Sequence, residues 1–260
     1  YLSNFHNFFI SKKLFLILAT LIFTGTLFAQ EGSSEVELKN AGNEAVRKKN
    51  YAEAHQKYEE YLKINEYKDN AVVFNTAYCA SKLKNYDVAA KYFDMAIKNN
   101  YKVGPAYQGK ALAEKKMNKE DEMVNTLESG IKAVTVPKDK QKLETMYATH
   151  FLKKGQEFQK AGKLEKAAEN YKKIVALNNR GFKSQANVSL ATLYYNHGVG
   201  ILQKVTPVAH TDKPAYEAGK KQAHGFFKKA VDFLIQAQSQ NPSDKEIGKL
   251  LSEIKAELAK

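Results

Sequence analysis

Gly155-Gln-Glu-Phe-Gln-Lys-Ala-Gly-Lys-Leu-Glu-Lys-Ala167-Ala-Glu-Asn-Tyr171-Lys-Lys-Ile174 is the stretch that decides how this chain is built. A small residue is followed by Ala twelve positions later, an aromatic four after that, and an apolar residue three further on. The apolar positions recur at helical period on both sides of Gly162, so the stretch predicts two antiparallel helices joined by a tight turn. Small residues at Gly155 and Ala167 let the helices touch, and Tyr171 fills the space beside them. This is a packing code, and it contains no catalytic constellation.

The same spacing recurs outward from that stretch. Gly42, Ala54, Tyr58 and Tyr61 form a first copy with its turn at Lys49-Asn50, and Ala77, Ala89, Phe93 and Ala96 a second with its turn at Asn85. Ala111, Met123, Leu127 and Gly130 keep the spacing with changed residues. The aromatic position steps by 35 residues from Tyr58 to Phe93, by 34 to Leu127 and by 44 to Tyr171, which places about one decade of extra helix before the fourth copy. Pro137 stops one helix, and Lys138 to Ala161 then reads as one long helical pattern. The fifth copy reads as split. Its first helix spans Ala186 to Leu202 and stops near Gly198 and Gly200, a loop with Pro207 and Pro214 follows, and a second helix from about Asp212 carries Ala230, Leu234 and Ala237. Ser243-Asp-Lys-Glu246 reads as a capping box that opens a last helix with Ile247, Leu250, Leu251, Ile254 and Leu258 on one stripe.

A period of 34 to 35 residues with this Gly/Ala, Ala, aromatic code resembles the tetratricopeptide repeat (TPR) family over roughly Glu35 to Pro242. The resemblance implies an all-α fold, an α-solenoid of about five helix-turn-helix units closed by a capping helix. The expected division is a leader over 1–29, a short linker over 30–34, units one to three over 35–137, units four and five over 138–242 with a loop at 204–214, and the cap over 243–260. Stacked units put their first helices on a concave face, where such proteins bind extended peptides or helices.

Lys12 and Lys13 precede an apolar run from Leu14 to Phe28 that ends at Ala29, the pattern of a cleaved export signal. A retained anchor is the alternative, although the run is shorter than the roughly 20 residues that span a bilayer. Export across one membrane, to the periplasm, is the expected localisation. The 260 residues carry 41 Lys and Arg against 28 Asp and Glu; without the two leader lysines 39 remain against 28, a balance of +11. Cys79 is the sole cysteine, so neither an intrachain disulfide nor a thiolate metal site is expected.

On the first helices, Lys39 and Asn43 lie one turn apart, and Asn75 occupies the corresponding face of the next unit. They resemble part of the carboxylate clamp of chaperone-binding TPR domains, in which Lys and Asn side chains hold a C-terminal carboxylate. The clamp's two further basic positions fall here on Pro105 and Gly109, and Lys102 and Lys110 sit off register, so the clamp is incomplete. Tyr78 with Phe74 and Lys82, and Lys110 with Tyr107, extend the same face with aromatic and cationic groups. The expected peptide-binding set is therefore Lys39, Asn43, Asn75, Tyr78, Lys82 and Lys110. The expected function is a non-enzymatic scaffold for a protein partner, a peptide or helix of acidic character. The alternative is a basic adaptor on an anionic envelope surface, built on lysine pairs such as Lys172-Lys173 and Lys220-Lys221. No cofactor, metal or nucleic acid is expected: the histidines show no ligand spacing, and Gly198-Val-Gly200 reads as a helix stop.

Overall fold

A computed structural model of the chain describes residues 34–259, and the leader expected over 1–29 lies outside them. All regular elements among the described residues are helical. They are α1 over 34–47, α2 (Tyr51–Ile64), α3 (Asn70–Lys82), α4 (Tyr86–Lys98), α5 (Val103–Lys116), α6 (Glu120–Ala133), α7 (Pro137–Lys160), α8 (Leu164–Val175), α9 (Arg180–Val205), α10 (Lys213–Gln240) and α11 (Lys245–Leu258), with a 3-10 turn at Thr206–Val208 between α9 and α10. The chain forms two compact units, one ending at Lys140 and one beginning at Gln141, and the boundary falls within α7.

Each turn inside a repeat uses one device. Lys49, Lys84, Asn118 and Gly162 all have positive φ, from 58° to 68°. The following amide reaches back to the preceding helix: Asn50 N–H donates to the Ala45 carbonyl (2.8 Å), Asn85 to Ala80 (2.9 Å), Lys119 to Glu114 (2.9 Å) and Lys163 to Phe158 (2.9 Å). This left-handed closure satisfies carbonyls that a helix end would otherwise expose. Only one of the four positions is a glycine, so three turns bear the strain of a side chain in that region.

In the first unit, α2 packs on α3, α3 on α4, α4 on α5 and α5 on α6. Rings lie against glycines of a neighbouring helix, Tyr58 at Gly42 and Phe93 at Gly109. A Cβ placed on Gly42 would sit 2.5 Å from the Tyr58 ring. Tyr58, Leu62, Val73, Ala77, Ala89 and Ala96 are buried in one continuous core.

In the second unit the same contact recurs where Tyr171 lies against Gly155. α8 packs on α9 and α9 on α10. The helices α9 and α10 run 26 and 28 residues, longer than the repeat requires. Here the structure corrects the sequence reading: α9 starts at Arg180 and continues through Gly198 and Gly200 to Val205. Gly198 is buried against Phe227, whose ring would lie 2.7 Å from an added Cβ, so the glycine serves close helix approach and does not stop the helix. The expected loop is correspondingly reduced to the 3-10 turn and the residues before Lys213. The expected capping box is also different, because Asp244, not Ser243, caps α11 by accepting from the Glu246 amide (3.0 Å). Ile247, Leu251 and Ile254 of α11 then complete a core with Phe227, Ala230, Leu234 and Ala237 of α10.

Candidate functional site

The first unit brings most of the expected polar residues into internal bonds. Lys39 Nζ lies 2.6 Å from Asp69 Oδ2, and the Tyr61 hydroxyl donates to the same oxygen (3.0 Å). Asp69 is the N-cap of α3, its Oδ1 accepting from the Ala71 and Val72 amides at 3.0 and 3.1 Å. Burial alone would raise the Asp69 carboxyl, but hydrogen bonds from Lys39, Val72 and Tyr61 hold it below its ordinary value. Burial, with the carboxylate beside it, pushes Tyr61 up to about 12. Lys39 thus ties α1 to the start of α3.

Asn43 and Asn75 meet at one buried hydroxyl. Tyr58 donates to Asn43 Oδ1 (2.7 Å). Burial raises the Tyr58 pKa, and a hydrogen bond from Asn75 partly offsets it. A buried phenol without partners would be costly, so both amides stabilise the ring's position. Lys110 pairs with Asp94, a carboxylate shared with Lys98 (2.7 Å). Burial opposes ionisation of Asp94, and the two lysines together hold it below its ordinary value.

Tyr78 and Lys82 are presented outward. Tyr78 is 39% exposed, its ring braced edge-on by Tyr51 at 5.9 Å, with Lys82 Nζ 5.1 Å from the ring centroid. α3 and α5 lie side by side, and Leu112 on α5 is also exposed. Phe74 packs inward, against Phe93 at 5.5 Å and Tyr101 at 6.2 Å, under the Lys102 ammonium.

The second unit contains a groove that the sequence reading did not single out. It lies between α7 and α9 with a volume of about 670 Å³, and is lined by Gln156, Gln159 and Lys160 on one side and Val188, Ser189, Thr192 and Asn196 on the other, with Tyr171 at its base. The Tyr171 hydroxyl donates to Gln159 Oε1 (2.9 Å). A smaller recess of about 190 Å³ adjoins it, sharing Gln159 and Asn196 and reaching Leu164 and His197. The available signal was the run of small polar residues at Ser189, Thr192 and Asn196, spaced by three and four on one helix face.

Among the described residues no group of three or more His, Cys, Asp or Glu side chains is placed to hold a metal ion. No helix among them is long and apolar enough to cross a membrane.

Residues 39–101 match the tetratricopeptide repeat. The chain is similar to a TPR repeats protein from Bacteroides fragilis, known from its crystal structure, with 43% identity over 85% of this chain and 98% of that one and a TM-score of 0.80. MamA protein shares 16% identity over 81% of this chain and 96% of its own, with a TM-score of 0.40. The TPR2AB domain of yeast Sti1, in a complex with pHSP90, shares 13% over 86% and 99%, with a TM-score of 0.35. No curated protein matches the chain significantly.

Proposed function

Since the chain belongs to the tetratricopeptide repeat family, whose repeats generally mediate protein–protein interaction, we propose that it is a non-enzymatic scaffold of the cell envelope. Its first unit holds an extended peptide or a helix of a protein partner. The observation that carries this reading is the Tyr78 ring, propped outward by Tyr51 and overlain by Lys82. A rigid amphipathic ring beside a cation, on a helix that packs against α5 with its exposed Leu112, suits a partner with apolar and acidic side chains. In this reading Tyr78 and Lys82 make the main contact, while Lys39, Asn43, Asn75 and Lys110 border the site and hold its shape. Residues 35–137 and 138–242 carry the repeats, 243–260 close the second unit, and 1–29 act as the export leader.

The test has two arms. Full-length protein is produced with its leader in a bacterial host, and the periplasmic fraction is collected; export predicts mature chains that begin near Gln30, and retention in the cytoplasm would overturn the envelope assignment. Partner retention on the immobilised wild type is then compared with the Tyr78→Ala, Lys82→Ala double variant. Weakened retention with an unchanged melting temperature is expected. Equal retention by both would move the site elsewhere. If retention by the wild type collapses between about 50 and about 500 mM salt regardless of partner sequence, the chain acts instead as a basic adaptor on anionic surfaces.

A further inference from the structure

We propose that a slot in the second unit, lined from α9 and α11, is a binding site for a small monoamine, a single ammonium group carried on a hydrocarbon chain. The site is separate from the first-unit face and does not rest on its assignment.

The slot has a volume of about 530 Å³, within the range of about 300–1,000 Å³ found for ligand clefts. It is mostly apolar. Val199 and Leu202 of α9 and Pro207 of the 3-10 turn line it, with the buried Phe227 ring of α10 behind them. Val199 and Leu202 pack on the core between α10 and α11 but are only partly buried, so both keep surface for a ligand. A hydrocarbon chain laid along them would leave water, which is the favourable term.

Charge selects the other end of the ligand. In a chain of net charge +13, the described residues that line this slot include no Lys, Arg or His and one carboxylate, Glu257 of α11. The two oxygens of a carboxylate offer about four lone-pair directions, enough for a partner within the chain and a ligand together. Thr206 Oγ1 donates to the Leu202 carbonyl (2.7 Å), so toward a ligand that oxygen accepts. Gln203 and Tyr195, also in the lining, can each accept as well. An ammonium group donates three hydrogen bonds and accepts none, which matches this set. A carboxylate or phosphate would meet Glu257 with no cation to offset the repulsion. A neutral alcohol would forgo the charge-assisted bond, which is about twice as strong as a neutral one.

The length of the wall separates a free amine from a lysine of a protein partner. Tyr195, Val199 and Leu202 are spaced by four and three residues on one helix face, and Thr206 continues that line into the 3-10 turn. From Tyr195 to Thr206 a helix rises about 16 Å, farther than a lysine side chain extends. The slot therefore suits a longer alkyl chain than lysine carries.

Octylamine, protonated at neutral pH, is the probe. It is titrated by calorimetry into the full chain, with butylamine, octanol and octanoate as matched compounds. Octylamine should bind in one saturable step, and each methylene beyond butylamine should tighten binding about fourfold. Octanol should bind roughly tenfold more weakly than octylamine, and octanoate should not bind. Glu257→Gln should bring octylamine down to the level of octanol. Gln203→Lys, at an exposed position, should exclude the amine and admit octanoate; circular dichroism confirms that both variants fold. Equal binding of octylamine and octanol, or a preference for octanoate, would overturn the proposal. So would butylamine binding as tightly as octylamine, which would point to a lysine side chain. Octylamine binding unchanged in the two variants, or no saturable binding at all, would overturn it too. A dimer seen by sedimentation in the wild type and lost in Gln203→Lys would instead assign the slot to a second copy of the chain.

Discussion

The first-unit face and the second-unit groove occupy equivalent places on first helices of the repeats, yet they treat polar side chains in opposite ways. In the first unit, Tyr58 sends its hydroxyl to Asn43, and the Asp69 cap draws in Lys39 and Tyr61. Residues of ligand-binding type are absorbed into the architecture, and an aromatic ring with its cation remains outside. In the second unit, Tyr171 occupies the position equivalent to Tyr58 but bonds Gln159 three residues before Gly162. One amide oxygen is consumed there, and Gln156, Ser189, Thr192 and Asn196 remain along an open groove. The same ring at the same place in the packing code thus closes one surface and leaves the other available. What a polar residue can bind depends on which buried group already holds it.

If that equivalence is real, the two rings should matter equally to stability. Tyr58→Ala and Tyr171→Ala each remove a ring almost wholly buried against a glycine and should each cost about 3–5 kcal/mol, measured by urea denaturation. A cost below about 1 kcal/mol for Tyr171→Ala would break the comparison, because the second unit would then not depend on the code that builds the first.

The polar residues should separate the regions next. Asp69→Ala removes a helix cap worth about 1 kcal/mol and leaves Lys39 and Tyr61 without their shared acceptor, for a total of about 2–3 kcal/mol. Thr192→Ala, on the groove wall, should stay within about 0.5 kcal/mol of wild type. Similar losses at both positions would mean that the groove side chains are structural as well.

Acid sharpens the same distinction by a smaller amount. The folded-state pKa values of Asp69 and Asp94 are depressed, so their contribution is present above the unfolded value near 4 and is lost as pH falls through the folded value. Both residues belong to the first unit. Thermal melts at about pH 6 and about pH 3 should show a larger loss for wild type than for Asp69→Asn, which cannot titrate at that position. Equal losses in the two proteins would show that Asp69 does not contribute to acid sensitivity.

How much of this was legible beforehand follows the range of each interaction. The contacts of Gly42 with Tyr58 and Gly155 with Tyr171 were written in a fixed spacing, because helix geometry converts sequence distance into a shared face. The turns at Lys49, Asn85 and Gly162 were legible for the same reason. Gly198 was misread because a glycine that ends a helix and one that admits Phe227 look alike until the partner helix is known. The Lys39–Asp69 pair joins residues thirty apart, and no local pattern marks Asp69 as the acceptor. The groove was hidden for a related reason: Gln156 and Asn196 are forty residues apart in sequence, and only the packing of α7, α8 and α9 brings their faces together.

The smallest effect concerns the turns that the two regions share. Lys84 and Gly162 hold the same left-handed conformation, at φ of 62° and 68°, but only Gly162 does so without a Cβ penalty. Lys84→Gly should therefore relieve strain worth about 1 kcal/mol, less the extra backbone freedom that glycine gives the unfolded chain, for a net gain of at most about 0.5 kcal/mol. Gly162→Ala should lose about 1 kcal/mol through conformation alone, since no atom lies within 4 Å of the added Cβ. Melting temperatures that move in opposite directions in these two variants would show that the turn is one device used twice. A loss in Lys84→Gly would show that the lysine side chain has a role in its turn that outweighs the strain, and the first unit would then differ from the second in its turns as well as in its polar surface.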